Sequence, residues 1–251
     1  FLWESNLAAF KFTDGRIEAF GKLYPGLALT KLPADDTKLQ EWGMKILPSG
    51  ETAGLGGLSL WAGKSRLPLY RSPGPAGGPG LQRTVLAAGP LRALVRVEYS
   101  DLGSAAGEVR AVVLYSAFAD NAFSRQDVVV SSGSAGPFLA GAGAPRLAGE
   151  EVSLDKGQGY LAAWGRGAEG TGEVGLALLF TPSDFAGLEE EGPGRSVKLT
   201  APAGRRLTFW TVGGWDRGIV GASGPAAKTW SRMASELSLK LRVPVEVRFK
   251  A

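Results

Sequence analysis

Short runs in which apolar and polar residues alternate, separated by glycine and proline, dominate this chain and restrict it to a mostly β fold. In Leu91-Arg92-Ala93-Leu94-Val95-Arg96-Val97-Glu98-Tyr99 the odd positions are apolar, while Arg92, Arg96 and Glu98 point the other way. A period of two is the mark of a strand with one face buried. Val109, Ala111, Val113 and Tyr115 repeat it directly, after a turn from Gly103 to Gly107. Further strands are read over 7–12, 17–23, 55–61, 83–88, 124–130, 160–164, 174–180, 196–200, 207–212 and 245–249. Gly, Pro, Asn or Asp punctuates most of the gaps. In a chain of 251 residues, 37 Gly and 15 Pro spread without a period mark turns between strands, not collagen or disorder. The expectation is an all-β protein, a large antiparallel two-sheet twisted sandwich in which residues 1–251 form one domain.

One segment has a helical period instead. Ala226, Trp230, Met233, Leu237 and Leu241 make a single apolar stripe over residues 225–242. Ser223 can cap it, Pro225 suits its first turn, and Pro244 ends it. Packing against the outside of a sheet is the expected use of that stripe. Residues 35–47 settle on neither period: Leu39, Trp42, Met44 and Leu47 fit a helix or an extended loop. Dense polar side chains surround Trp42, as in loops that carry function.

What is missing narrows the chemistry. With no Cys there are no disulfides, thiol nucleophiles or thiolate metal sites. With no His there are no imidazole bases or Ser-His-Asp triads, and nearly every zinc site is gone. Proton chemistry is left to Asp, Glu, Lys, Tyr, Arg or water, and no cofactor is called for. The net charge of +4 comes from scattered Lys and Arg, without the basic clusters of a nucleic-acid reader. Solvated strand faces explain most of these cations; attraction to an anionic polymer such as a uronate is the functional alternative. No apolar run is long enough for a membrane span. The sequence sets no oligomeric state.

Several segments carry a resemblance along the whole chain. "LWESNLAAFKF" with "IEAFGK", "KLQEWGMKIL" with "GLGGLSLW", "GPLRALVRVEY", "GYLAAWG" with "VGLALLF", and "WTVGGWD" before a helix ending in "LRVPVEV" occur in that order. Together they resemble the domain of unknown function 4861 family. The resemblance implies a galactose-mutarotase-like sandwich, secreted or periplasmic, found beside pectin- and uronate-degrading enzymes. It also implies more chain before Trp3-Glu4-Ser5, either an early strand or a signal peptide. The family often has Tyr-His before its Glu-Trp-Gly-Met and Asp after it. Here those places hold Asp36-Thr37 and Lys45.

Candidate site residues follow from chemistry. Glu41 beside Trp42 offers a carboxylate next to a ring on which a pyranose could stack, though Trp42 could equally plug a core. Glu4, beside Trp3 and Asn6, is a second carboxylate, at a sugar site or on a terminal strand. Arg92, on the polar side of its strand, has the planar fork that holds a uronate carboxylate. Lys22 and Lys38 are further cations, and Trp215-Asp216, after two glycines, reads as a rim. Two classes of function remain open. One is a carbohydrate-active enzyme, a lyase or hydrolase, with Glu4, Glu41 and Arg92 catalytic. The other is a non-catalytic glycan-binding or extracellular structural protein. Both expect a carbohydrate, anionic in character, on the concave face of one sheet, where Glu4, Lys22, Lys38, Glu41, Trp42 and Arg92 would gather.

Overall fold

In the computed structural model, which describes residues 1–28, 33, 35–70, 80–104, 107–132, 138–221 and 226–243, the alternating segments become antiparallel strands. The chain opens with β1 (Leu2–Glu4), β2 (Ala9–Thr13), β3 (Arg16–Lys22) and β4 (Gly43–Leu47). Then come β5 (Leu58–Ala62), β6 (Ser65–Pro68), β7 (Gly80–Ala88), β8 (Arg92–Ser104), β9 (Gly107–Phe118) and β10 (Phe123–Ser132). The remainder is β11 (Phe138–Pro145), β12 (Ala148–Asp155), β13 (Tyr160–Arg166), β14 (Glu173–Phe180), β15 (Phe185–Glu191), β16 (Gly194–Ala201), β17 (Arg206–Trp215) and the helix α1 (Ala226–Arg242).

One layer is a sheet of eight strands in the order β12-β13-β14-β17-β10-β9-β8-β7. Facing it is a second layer that is divided, four strands β1 to β4 beside five strands β15-β16-β11-β5-β6. β1 packs on β8 and β9, and β3 and β4 pack on β17; β11 meets β14 and β16 meets β10 and β17. The interior between the layers is filled by the apolar side of each alternation, including Val95, Val97, Tyr99, Val113, Tyr115 and Val128. This is the expected all-β sandwich, with a second layer split in two. The halves meet where the Ile17 N–H donates to the Ala53 carbonyl and the Leu55 N–H to the Ile17 carbonyl, both at 3.0 Å. Gly54 makes that approach possible: its φ is +76°, and a Cβ there would stand 1.8 Å from the Ile17 carbonyl oxygen.

Some strands gave little signal in the sequence. β11 reads Phe-Leu-Ala-Gly-Ala-Gly-Ala-Pro, and its Gly141 leaves the space that the Trp61 ring fills. β12 is an edge strand with Glu151 exposed and Glu150 paired with Arg195. Glu189 to Glu191, expected as a turn, instead end β15, where Glu189 pairs with Lys198 and Glu190 with Arg146. Leu91 is 77% exposed, so the alternation begins one residue later than its pattern implies. The expected strand 245–249 and the helix signals at Ser223, Pro225 and Pro244 lie outside the described residues.

The helix lies on the outer face of the eight-stranded sheet, against β13, β14 and β12. It buries Trp230, Ala234 and Ser238, while Met233 and Leu237 are half-buried. Two small residues in that buried line let the helix sit close, and the Ser238 hydroxyl donates to the Gln158 carbonyl at 2.8 Å. Trp230 lies over Gly175 and Gly214, which face each other across β14 and β17. Its indole N–H donates to the Leu176 carbonyl at 2.9 Å.

Candidate functional site

On β1 the alternation sends Trp3 inward and leaves Leu2 and Glu4 on the other side. The Trp3 indole N–H donates to the Ser124 hydroxyl at 2.9 Å, within a buried polar set completed by Gln126 and Thr211. That bond ties the edge strand β1 across the interior to β10. Where β1 passes over the start of β8, a cleft of about 550 Å³ opens, within the size range of small-molecule sites. Its floor is Ala93 and Ala117, partners across β8 and β9. Leu2 and Leu27 line one side, Ala88 and Pro90 of the β7–β8 turn the other. Glu4, Ser5, Asn6, Arg92 and Asp120 supply its polar groups.

Most of these polar groups are already engaged. The Glu4 carboxylate accepts from Lys22 Nζ at 2.6 Å and from the Ala28 N–H at 3.1 Å. The Ser5 hydroxyl donates to the Asn121 carbonyl at 2.6 Å and accepts from the N–H groups of Leu7 and Ala8. Asn6 donates to the Asp120 carboxylate and accepts from the Asp120 N–H, each at 2.7 Å. Asp120 holds this position with φ +60°, a left-handed conformation that aspartate tolerates better than most residues. Arg92 is different. Its side chain donates one bond, Nη2 to the Ser116 hydroxyl at 3.1 Å, and its guanidinium lies 5.1 Å from the Phe118 ring centre. Both partners lie on the face of β8 and β9 opposite Ala93 and Ala117, so the guanidinium sits at the outer margin of the cleft and not over its floor.

The other expected residues separate from this pair. Lys22 is 2% exposed, and its ammonium donates to Glu4, to the Ser5 carbonyl at 2.7 Å and to the Gly26 carbonyl at 2.5 Å. All three of its hydrogens are taken, so it is a strut and not a free cation for a ligand. Burial draws its pKa below the ordinary value, against the opposing pull of Glu4. Trp42 is also buried, packed on Phe20 with ring centres 6.0 Å apart, so it plugs the outer face of the four-stranded sheet and offers no open platform. Glu41 is exposed beside a smaller cavity of about 190 Å³, formed with Lys22, Tyr24, Gly26, Leu27, Ala28 and Trp42. Leu27 is common to both cavities; Glu41 and Arg92 share neither.

Lys38 lines neither cavity and pairs at 3.4 Å with Asp35, both well exposed. Trp215, expected at a rim, is fully buried in the main core, with its indole N–H donating to the Thr171 carbonyl at 2.7 Å. Two preceding glycines at the end of β17 looked like a loop, but they pair within the sheet, Gly214 with Gly175. Asp216 follows on the turn and accepts from the Glu173 N–H at 3.1 Å. Glu4 thus lines one cleft with Arg92 and is bonded to Lys22, which lines the second cavity with Glu41 and Trp42, while Lys38, Trp215 and Asp216 stand apart. Sequence reading missed Asp120 as a lining residue. Its only local signal was the Asp120-Asn121 turn between two strands, since its partner Asn6 is 114 residues away.

The loop bearing Glu41 is held by ions. Lys45 Nζ lies 2.8 Å from Asp36 and 3.0 Å from Glu18, and Lys11 Nζ lies 2.8 Å from Asp36. The two departures from the family pattern, Asp36 and Lys45, thus answer each other. Burial pushes the Asp36 carboxyl up, but hydrogen bonds from Lys11 and Lys45 outweigh it and hold it below its ordinary 3.8. Burial likewise pushes Lys45 down, and hydrogen bonds from Asp36 and Glu18 hold it above 10.5. Asp36 therefore stabilises the fold above pH 3.8 and loses that contribution as pH falls through its depressed folded value. Lys45 stabilises it below pH 10.5, a contribution lost as pH rises through its raised folded value. Asp36→Asn is expected to cost about 1–3 kcal/mol at neutral pH. Urea midpoints measured against pH should show the variant losing less stability on acidification than the parent. Parallel curves would refute the assignment.

Comparison with known proteins bears on the fold. A family model described as Domain of unknown function (DUF4861) matches residues 1–247. No curated protein matches the chain. The solved structure of a protein described as a kojibiose phosphorylase from the human microbiome superposes with a TM-score of 0.55 at 8% identity, covering 95% of this chain and 33% of that one. The GH36 alpha-galactosidase AgaA from Geobacillus stearothermophilus gives a TM-score of 0.40 at 9% identity, covering 92% of this chain and 42% of that one. This chain thus spans about a third to two fifths of the proteins it resembles in structure. At such identities the likeness concerns the sandwich itself. Among the described residues no helix is long and apolar enough to cross a membrane.

Proposed function

The chain belongs to the DUF4861 family, and since membership brings a sandwich but no reaction, we propose that it is a glycan-binding protein whose ligand is an acidic sugar. The observation that carries this reading is the sugar-sized cleft beside Glu4, at whose margin Arg92 stands. A uronate carboxylate would take the Arg92 fork as a charge-assisted pair. The carbohydrate-active setting of the similar sandwiches and a secreted or periplasmic location are part of the same proposal.

Binding is favoured over catalysis by the state of the cleft's acids and bases. Glu4 and Asp120 are both paired, and among the described residues no Lys or Tyr lines the cleft to take a proton from C5 of a uronate. Tyr99 and Tyr115, on the strands that supply Arg92 and Ala117, are buried in the core with pKa values raised by burial. The hydrolytic alternative needs two converging carboxylates. Glu4, Glu41 and Asp216 lie in three separate places.

Calorimetric titration with oligouronides and with neutral oligosaccharides tests the reading. Oligouronides should bind without release of reducing ends or of the ultraviolet absorbance of unsaturated uronates. Arg92→Ala should weaken binding roughly ten- to hundred-fold, the range for a hydrogen-bonded charge. Products that accumulate with the parent and not with Arg92→Ala would replace the binding reading with a catalytic one.

A further inference from the structure

Resting on the reading of the cleft as an acidic-sugar site, we infer that the glycan is a mixed chain, its acidic unit at the cleft and an adjoining uncharged unit in the smaller cavity beside Glu41. The two hollows open on one surface, the outer face of the four-stranded sheet. Leu2 lines the first, Ala28 and Trp42 line the second, and all three pack in a single cluster on that face. The wall between them is one ion pair thick. Glu4 lines the cleft and Lys22 the cavity, with the Lys22 Nζ 2.6 Å from the Glu4 carboxylate. Leu27 lines both and is 67% exposed, so the wall ends at the surface, where a chain can pass from one hollow to the other.

The second cavity is too small to serve as a ligand site by itself. At about 190 Å³ it falls below the range of about 300–1,000 Å³ for independent small-molecule sites, whereas the cleft at about 550 Å³ lies within it. It suits one unit of a ligand seated next door. Its charge sets which unit. The Lys22 ammonium directs its three hydrogens to Glu4, Ser5 and Gly26, and Glu4 balances its charge. Glu41 is then the uncompensated charge of the lining: it is exposed, and among the described residues no ion pair or hydrogen bond engages it. A uronate placed here would set carboxylate against carboxylate. The hydroxyls of an uncharged ring would instead donate to Glu41 as charge-assisted bonds. Tyr24, half exposed, adds the open ring face that the buried Trp3 and Trp42 do not offer. A uniform chain of uronates meets repulsion at its second unit, and a chain that joins an acidic sugar to an uncharged one does not.

The test is a calorimetric titration with oligosaccharides of equal length: uniform oligouronides, chains alternating uronates with uncharged sugars, and wholly uncharged chains. The alternating chain should bind at least about ten-fold tighter than the uniform oligouronide, the scale of a hydrogen bond to a charged group. Glu41→Gln, a change at an exposed position that a thermal melt can confirm as folded, should bring that ratio toward one. Tyr24→Ala should weaken the alternating chain by about two- to ten-fold, the range for one ring contact, and the uniform chain less. Equal affinity for the alternating and uniform chains would overturn the uncharged unit while leaving an acidic-sugar site in place. A preference that both variants leave unchanged would overturn its placement in this cavity. Absence of binding by either acidic chain would overturn both readings. Binding of the uncharged chain as tight as that of the alternating one would remove the acidic unit on which the inference rests.

Discussion

Trp230→Ala is expected to destabilise the protein by about 3–5 kcal/mol, the usual cost of truncating a buried tryptophan. Beyond the indole, hydrogen bonds from Ser235, Ser238 and Arg242 to Gln158 and Gly159 attach the helix at its far end. Met233 and Leu237 are only half-buried, and the small Ala234 and Ser238 complete the contact line. The indole at 1% exposure fills a slot made by two missing side chains, since a Cβ on Gly214 or Gly175 would lie 2.4 or 2.5 Å from it. It also packs on Trp164 with ring centres 5.5 Å apart. Removing it leaves a void bounded by glycines, which have no side chains to collapse into it, and strands the Leu176 carbonyl. Urea unfolding of the parent and variant measures the difference. A change below about 1 kcal/mol, the scale of an ordinary surface substitution, would mean that the helix is held elsewhere.

A comparable loss is expected from Glu4→Gln. Taking the charge from one partner of a buried ion pair leaves the other uncompensated, at a cost of about 3–5 kcal/mol. Lys22 is the partner that suffers, with a side chain 1% exposed against 11% for Glu4. The pH dependence makes the mechanism visible. Since burial already holds the folded Lys22 pKa below 10.5, the unfolded chain binds the proton more tightly, and this group alone makes stability rise with pH between the two values. Loss of Glu4 lowers the folded value further, so the rise should start nearer neutrality in the variant than in the parent. Adding Lys22→Met should recover part of the loss, because removing the ammonium leaves no orphan charge. Failure of the double variant to recover any stability would contradict the ion-pair account. Lys38→Ala serves as the contrast: its pair with Asp35 is exposed and screened by solvent, so the variant should unfold at the parent's midpoint.

The parts of the fold that could be read in the sequence are those where one face is wet. β8 and β9 alternate because Arg92 and Arg96 stay outside while Val95, Val97 and Val113 go in. β11 could not be read, since its alanines and glycines are chosen to let Trp61 and the neighbouring strands come close, a requirement set by distant residues. The site divided along the same line. Arg92 was legible because its side of the strand follows from its immediate neighbours. Lys22 looked like its equal, but whether a lysine is a free cation or a buried strut depends on what crosses over it. Glu4, 18 residues away, decided that. Trp42 failed for a related reason: a tryptophan in a polar loop reads as exposed until Phe20 of β3 is seen beneath it. The family resemblance carried the architecture across these gaps but assigned no residue a role.

The eight-stranded sheet does not close on itself, so it has two free margins, β12 and β7, among the described residues. Unpaired strand margins invite the addition of further strands from other molecules unless something discourages it. β12 is guarded by a bulge between Ala148 and Glu151 and by the charges of Glu151 and Asp155. β7 has a bulge between Val85 and Ala87, but from Thr84 to Pro90 it carries no charge, and Val85 and Leu86 are 63% and 50% exposed. Aggregation under heat or crowding would therefore begin at β7, and a lysine at Val85 or Leu86 is the change that would make the protein easier to keep in solution.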